Sequence, residues 1–455
     1  MPADLPSLER LLRLRGPQGV AEIAAGLGCS TKTVQRLVAA AGDAVLGAGQ
    51  TRRRRIAWRR EIRGQRIEAP LYRIDAEGRP QPLGRLSPIR PQGCHVEAIT
   101  SPPPAWPLPD EARDGWYEGL PYPLYDLRPQ GFLGRAFARQ HAGTLGLAPD
   151  PRLWDDDALL LALGAFGDDL PGALLVGDAA LRRCLDTRLN APPPLTEAEL
   201  PAAYAALAVQ AMAGGLPGSS AGGEFPKFTA ARERAGMATP HCVVKFSGAD
   251  DSATVQRWRD LLVCEHLAAE ALGTESAPTR LLAHGGRHFL ESERFDRVGP
   301  HGRRGVVSLE SANAGLVGAP GDDWAAVARA LAAQGLLSAA DAERAAERQL
   351  FGRLIANSDM HGGNLGFFHD AGGLQLAPSY DQLPMRYAPQ PGGEVASPPL
   401  APALPLPAEH ERWQRVAPRA LAFWRAAAAD ARISPGFRVL CAGNAAALER
   451  VMALA

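Results

Sequence analysis

The chain has 455 residues, 46% of them apolar, which is enough for two or three domains that each bury a core. Its formal net charge is +0, so a polyanion-binding bias of the whole molecule is excluded and any such bias must be local. Cys29, Cys94, Cys184, Cys242, Cys264 and Cys441 form no CxxC or Cys/His cluster, no apolar run is long enough to span a membrane, and Met1 to Arg15 carries both charge signs without a secretory core, so a soluble cytoplasmic protein with no zinc site, disulfide framework or membrane partner is expected.

Residues 1–70 read as a separate basic module, with 13 basic residues against six acidic ones and a local charge of +7. Val20 to Leu27 has apolar residues at helical spacing; Gly28-Cys29 makes a turn; Ser30 caps a second helix from Thr31 to Ala41. On that helix Val34, Leu37 and Val38 face inward, while Thr31, Lys32, Gln35 and Arg36 face out. The run Arg52-Arg53-Arg54-Arg55-Ile56-Ala57-Trp58-Arg59-Arg60 then continues as a basic strand pair. This order resembles a winged helix-turn-helix, which implies that the second helix enters the DNA major groove and that the wing, with Arg52 to Arg55, follows phosphates. A dimerisation or interaction module is the alternative.

Tyr72 to Val96 alternates apolar and polar residues as short strands do, and Ser101 to Pro109 and Ala191 to Pro194 are Pro-rich breaks. Glu197 to Ala213 is helical; His241 to Phe246 and His288 to Phe295 are strands flanking a helix over 255–272; Ser338 opens a helix that reaches Ile355. Strand-rich chain followed by helix-rich chain is the order of a two-lobed kinase.

Only three of the 49 basic residues are lysine: Lys32, Lys227 and Lys245. Where arginine serves for charge, a retained lysine marks a place that arginine's planar fork does not fit. Lys245 sits in Val-Val-Lys-Phe, a strand context like that of a phosphate-pairing lysine; a snorkelling edge-strand lysine is the bland alternative. Gly214 to Lys227 is rich in Gly and Ser, so backbone N–H groups can approach phosphate oxygens, although neither the Walker A nor the GxGxxG spacing is present and a surface linker is the alternative. Ser358-Asp359-Met360-His361-Gly362-Gly363-Asn364 has the Asp-to-Asn gap of a kinase catalytic loop: Asp359 as base, Asn364 as ligand to metal, His361 positioning the loop or a phosphate. A capped turn is the alternative. The hairpin that follows leads to Asp381, the second candidate metal carboxylate, with no DFG motif.

Together these segments resemble the HipA family of serine/threonine kinases, toxins of toxin–antitoxin pairs, over roughly residues 71 to 430, and the subgroup with a fused N-terminal helix-turn-helix, the YjjJ type. The resemblance implies an α+β, two-lobed protein-kinase-like fold using ATP and Mg²⁺. It assigns Ser220 to Lys227 to a phosphate loop with Ser220, Gly222, Gly223 and Lys227 at the nucleotide, Lys245 to the phosphates, and Glu293 and Phe295 of Glu-Arg-Phe-Asp-Arg to adenine through the backbone. It assigns Asp359, His361 and Asn364 to catalysis and Asp381 to metal. Ser220 is then an autophosphorylation site that switches the kinase off, or only a hydrogen-bond donor to ATP. The implied division is a helix-turn-helix over 1–70, a HipA-like N-terminal subdomain over 71–195, a kinase N-lobe over 196–300 and a helical C-lobe over 301–455. The implied partners are DNA and a protein substrate such as a translation factor or aminoacyl-tRNA synthetase; a homodimer and a separate antitoxin stay open. A small-molecule phosphotransferase of aminoglycoside-kinase type and a nucleotide-sensing DNA-binding regulator are the competing functions. Where the family has a Gln-Glu-Asp segment this chain has Ser308-Leu309-Glu310-Ser311.

Overall fold

The computed structural model describes residues 3–50, 53–99, 106–108, 112, 114–213, 225–321, 323–370, 372–390 and 392–455. The first helices are α1 (Leu5–Arg15), α2 (Val20–Leu27) and α3 (Thr31–Ala41), and β1 (Gln18–Gly19), β2 (Val45–Ala48) and β3 (Arg55–Trp58) form an antiparallel sheet of order β1-β3-β2. Ser30 caps α3 by accepting from the Thr33 N–H at 3.1 Å, and Gly28 closes α2 in the left-handed conformation. Leu8, Leu12, Ile23, Val34, Leu37, Ile56 and Trp58 bury one cluster between helices and sheet, worth about 1.5–3 kcal/mol for each large aliphatic side chain.

A five-stranded sheet follows, built from β4 (Ala69–Ile74), β5 (Pro80–Pro88), β6 (Cys94–Ala98), β7 (Trp116–Tyr117) and, much later in the chain, β8 (Leu174–Val176), in the order β8-β4-β5-β6-β7. The helices α4 (Gly131–Leu145), α5 (Asp156–Phe166) and α6 (Asp178–Leu189) accompany it. The Pro-rich break at 101–109 is irregular where described, yet Trp106 within it is 2% exposed and belongs to the core. Composition marked the missing regular structure there and hid the anchor.

After α7 (Leu200–Ala213) comes a four-stranded antiparallel sheet of β9 (Lys227–Ala231), β10 (His241–Phe246), β11 (Thr279–His284) and β12 (Arg287–Glu293), in the order β9-β10-β12-β11, with α8 (Ala253–Leu272) between β10 and β11. A third sheet joins β13 (Val306–Ser308), β14 (Gly366–Asp370) and β15 (Gly373–Leu376). The remaining large helices are α9 (Trp324–Ala333), α10 (Ala339–Leu354), α11 (His410–Ala429) and α12 (Pro435–Met452). Among the described residues no helix is long and apolar enough to cross a membrane.

Two cores position the centre of the molecule. Leu71, Leu86, Leu124 and Leu159 share one buried cluster with Val307, Trp324, Leu331 and Phe367, so the five-stranded sheet and the β14–β15 hairpin are packed into one body. Leu261, Leu262 and Cys264 of α8 share the other with Phe351, Trp413, Trp424 and Leu448. The Trp424 indole N–H donates to the Leu354 carbonyl at 3.0 Å, which satisfies the polar end of a fully buried ring.

Candidate active site

β9 and β10 pair with Lys227 directly opposite Lys245. Cross-strand partners share a face, so both lysines project from the same side of the sheet. The Lys245 ammonium donates to both carboxylate oxygens of Glu265 on α8, at 2.6 and 2.8 Å, and contacts the Asp381 carboxylate. Lys245 and Glu265 are almost completely buried, whereas the Asp381 side chain is 30% exposed. One carboxylate therefore braces the lysine from within and the other reaches it from the open side. Asp381 itself adopts a left-handed backbone conformation with φ of 53°, uncommon for a side chain larger than Gly, which the surrounding structure must hold.

The loop after α10 carries the second group. Asn357 joins the two: its amide oxygen accepts from the Asp359 N–H at 3.0 Å and its amide nitrogen donates to the Asp381 carbonyl at 3.3 Å. The Asn364 amide nitrogen donates to the Asp359 carbonyl at 2.7 Å, which turns the amide oxygen the opposite way. The His361 ring accepts from the Gly363 N–H at 3.1 Å and its other nitrogen lies 4.0 Å from the Asp359 carboxylate. Asp359 and His361 are both half-exposed, as groups that meet an incoming molecule must be. The Tyr380 hydroxyl donates to the Gly363 carbonyl at 2.7 Å, and burial pushes that phenol's pKa up, so it remains a donor.

A cleft of about 730 Å³ is lined by Lys227, Lys245, Glu265, Tyr380 and Asp381 at one end and by Val243, Glu293, Phe295 and Leu170 further along. The Glu293 N–H is committed to the Pro278 carbonyl at 3.0 Å, so a planar ligand at the strand end would have to use the Glu293 carbonyl instead. Its carboxyl pKa is raised by burial, against the Ala238 N–H that it accepts. Phe295 packs its ring against Phe368 and Tyr380, with centroids 5.9 and 5.5 Å away. Among the described residues no group of three or more His, Cys, Asp or Glu side chains is gathered for a metal. The Asp381 carboxylate and the Asn364 amide oxygen are nevertheless hard oxygen donors of the kind Mg²⁺ combines with water and phosphate. Ser220, Gly222 and Gly223 lie outside the described residues, as does Arg52.

Comparison with known proteins fits this geometry. A model of the YjjJ-like toxin middle domain matches residues 65–185, and one of the HipA-like C-terminal domain matches residues 219–442. Toxin YjjJ of Escherichia coli (strain K12) is 38% identical over 433 residues, 94% of each chain. The chain belongs to the HipA-like toxins of the YjjJ type. A chain in the solved complex of the Shewanella oneidensis MR-1 toxin–antitoxin system, with HipA, HipB and operator DNA, shares the fold of this YjjJ-type toxin with a TM-score of 0.50. That match has 16% identity and covers 84% of this chain and 96% of the other.

Several groups that build the site of this YjjJ-type toxin escape a reading of the sequence. Glu265 is the acid in Leu261-Leu262-Val263-Cys264-Glu265, and a lone carboxylate amid buried apolar neighbours was the available signal. Asp126 accepts from both the N–H and the hydroxyl of Ser308 and from the Ser311 hydroxyl, the two hydroxyls at 2.6 Å. It thereby fixes Leu309 to Ala312, whose Glu310 lies against Gly362 and Gly363. Burial raises the Asp126 carboxyl's pKa and the serine donors hold it down in part. In the first 60 residues Thr31, Lys32, Gln35, Arg36, Arg53, Arg54 and Arg55 are exposed. Arg59 and Arg60 of the same run turn inward: Arg59 pairs with Glu68, and the buried Arg60 pairs with Asp157 at 2.7 Å.

Proposed function

We propose that this chain is an ATP- and Mg²⁺-dependent serine/threonine protein kinase of HipA toxin type that also binds DNA through residues 1–70. The observation that carries the kinase reading is Lys245, held between Glu265 and Asp381 in the cleft. A buried lysine between two carboxylates is suited to take a phosphate oxygen in exchange for one of them, which matches the lysine–glutamate pair of kinases. Lys245 and Lys227 hold the nucleotide's phosphates, while Glu293 and Phe295 meet the adenine through their backbone. Asp359 accepts a hydrogen bond from the attacking hydroxyl and takes its proton as the new O–P bond forms and ADP leaves. His361 keeps the Asp359 loop in place. Asn364 and Asp381 are the residues that would hold Mg²⁺, whose chemistry is to neutralise charge on the phosphates.

Four units follow from this reading: a winged helix-turn-helix over 1–70, a middle subdomain over 71–195, an N-lobe over 196–300 and a C-lobe over 301–455. The DNA reading is supported by the exposed polar face of α3, with Thr31, Lys32, Gln35 and Arg36, and by Arg53 and Arg54 just before β3 and Arg55 at its start. Ser220 is proposed as the autophosphorylation site, with Gly222 and Gly223 beside it in the phosphate loop, because added phosphate would repel the phosphates that Lys227 and Lys245 attract. Unmodified Ser220 in active wild-type protein incubated with ATP would overturn that part. The substrate is read as a Ser or Thr of a protein, with a translation factor or an aminoacyl-tRNA synthetase as the class to examine first. Expression in cells tests the whole: wild type should inhibit growth, and Asp359→Asn should not, while still binding DNA. Growth inhibition by the variant equal to wild type would refute a kinase toxin.

A further inference from the structure

The Glu293-Arg294-Phe295-Asp296-Arg297 segment contains three charged side chains that are engaged with one another and with a neighbouring loop, Arg294 and Asp296 forming part of the cleft wall as they do so. Arg294, Asp296 and Arg297 are buried, with exposures of 8%, 7% and 5%. Charges buried so deeply need partners, and they find them on the loop between α5 and β8. The Asp296 carboxylate accepts from the Gly172 N–H at 2.9 Å and from the Arg294 guanidinium at 2.9 and 3.1 Å. Arg297 donates to the Asp169 carboxylate at 2.8 Å, to the Leu170 carbonyl at 3.1 Å and to the Gly172 carbonyl at 3.2 Å. Arg294 also reaches Asp169 at 3.3 Å, and Arg303 donates to the Asp168 carbonyl at 2.6 Å. Gly172, with φ of +79°, turns the chain between these bonds.

The clamped loop is also a wall of the cleft. Asp168, Asp169, Leu170 and Pro171 line it together with Glu293 and Phe295. Leu170 is half-buried, with part of its side chain against the core of the middle region, and Pro171 is exposed, so both leave apolar surface on the cleft wall.

We propose that Leu170 and Pro171 are base-packing residues of the nucleotide site, delivered from the middle region and held there by the Arg294–Asp296–Arg297 clamp. This rests on the kinase reading above and deepens it: the base is gripped between the strand end and a loop more than 100 residues earlier in the chain. Asp169 and Asp296 are positioning residues, since they act through the loop. Leu170 and Pro171 give the base an apolar face and offer nothing to the phosphates.

The test uses the full chain and two probes, ATP and inorganic tripolyphosphate, which carries the charges without the base. Leu170→Ala and Pro171→Ala should each weaken ATP binding by about tenfold or more, the scale at which even one methylene counts in an apolar pocket, and leave tripolyphosphate affinity unchanged. Leu170→Met should restore most of the ATP affinity. In steady state the alanine variants should raise KM for ATP with kcat nearly constant, a split that general loss of structure does not produce. ATP affinity unchanged in both alanine variants of a protein whose wild type binds ATP would overturn the inference alone, as would equal loss of ATP and tripolyphosphate. A folded wild type that binds neither probe would overturn the kinase reading and this inference with it.

Discussion

At the scale of single residues, Lys245 and Asp359 are the charges on which the proposed chemistry turns, and Glu265 is what makes the first of them usable. A lysine buried on a strand needs a counter-charge; Glu265 supplies it at 2.6 Å, beside the cleft. Glu265→Gln keeps the shape and removes the brace, so kcat/KM for ATP should fall by roughly ten- to a hundredfold, or about 1.4–2.8 kcal/mol. Steady-state kinetics at saturating Mg²⁺ measures this, and an unchanged kcat/KM would show that Glu265 is only a buried counter-charge. The Asp359 loop was legible in the sequence because its parts are local: Asp359 and Asn364 lie five residues apart and bond across that turn. Glu265 was not, because it meets Lys245 20 residues away through helix-on-sheet packing. Asp126 lies 182 residues from Ser308, and no local pattern announces that pairing.

Among elements, α10 and α3 show what caps can and cannot tell. Ser338 accepts from the Asp341 N–H at 3.0 Å and starts α10, the helix that delivers the Asp359 loop. Ser338→Ala should cost about 1 kcal/mol of unfolding free energy, read by denaturant titration, with kcat little changed. A loss of activity larger than the loss of stability would mean that the cap sets the geometry of the loop itself. Beside α3, replacing Arg53, Arg54 and Arg55 with alanine should weaken DNA binding and flatten its salt dependence, by about 0.9 in log–log slope for each phosphate that is no longer neutralised. A slope unaffected by the triple change would remove these arginines from the interface. Ser30, Gly28 and the apolar spacing made α2 and α3 readable. The same basic run gave no sign that Arg59 and Arg60 turn inward, because their partners Glu68 and Asp157 are brought near only by folding. Likewise β8 joins β4 from about 100 residues downstream, a pairing that depends on the whole sheet.

For the molecule as a whole, the consequence of these long-range ties is that the middle region and the β14–β15 hairpin are not independent. Leu71 and Leu124 share a core with Phe367 and Leu376, and the Arg294–Asp296–Arg297 clamp adds a buried ionic tie between the α5–β8 loop and the strand end. Burial would raise the Asp296 carboxyl, but Arg294 and Arg297 outweigh it and hold it well below its ordinary value of 3.8. A carboxylate depressed by folding contributes stability that is fully present above its unfolded pKa and is lost as pH falls through the folded one. Wild-type stability should therefore decline as pH drops below 3.8. Asp296→Asn should be less stable at neutral pH by about 3–5 kcal/mol, as when a buried pair is broken, and flatter on the acid side. Parallel acid profiles for the two proteins would contradict a charged, folding-linked Asp296.

The role of Asp359 as the base for phosphoryl transfer to protein hydroxyls is open to direct measurement. Purified full chain, wild type beside Asp359→Asn, is incubated with γ-labelled ATP, Mg²⁺ and cell extract. Label should appear on serine or threonine of protein in the wild-type reaction, reduced by about 10²–10⁴-fold in the folded variant. Equal labelling by both proteins, or none by folded wild type, would contradict that role.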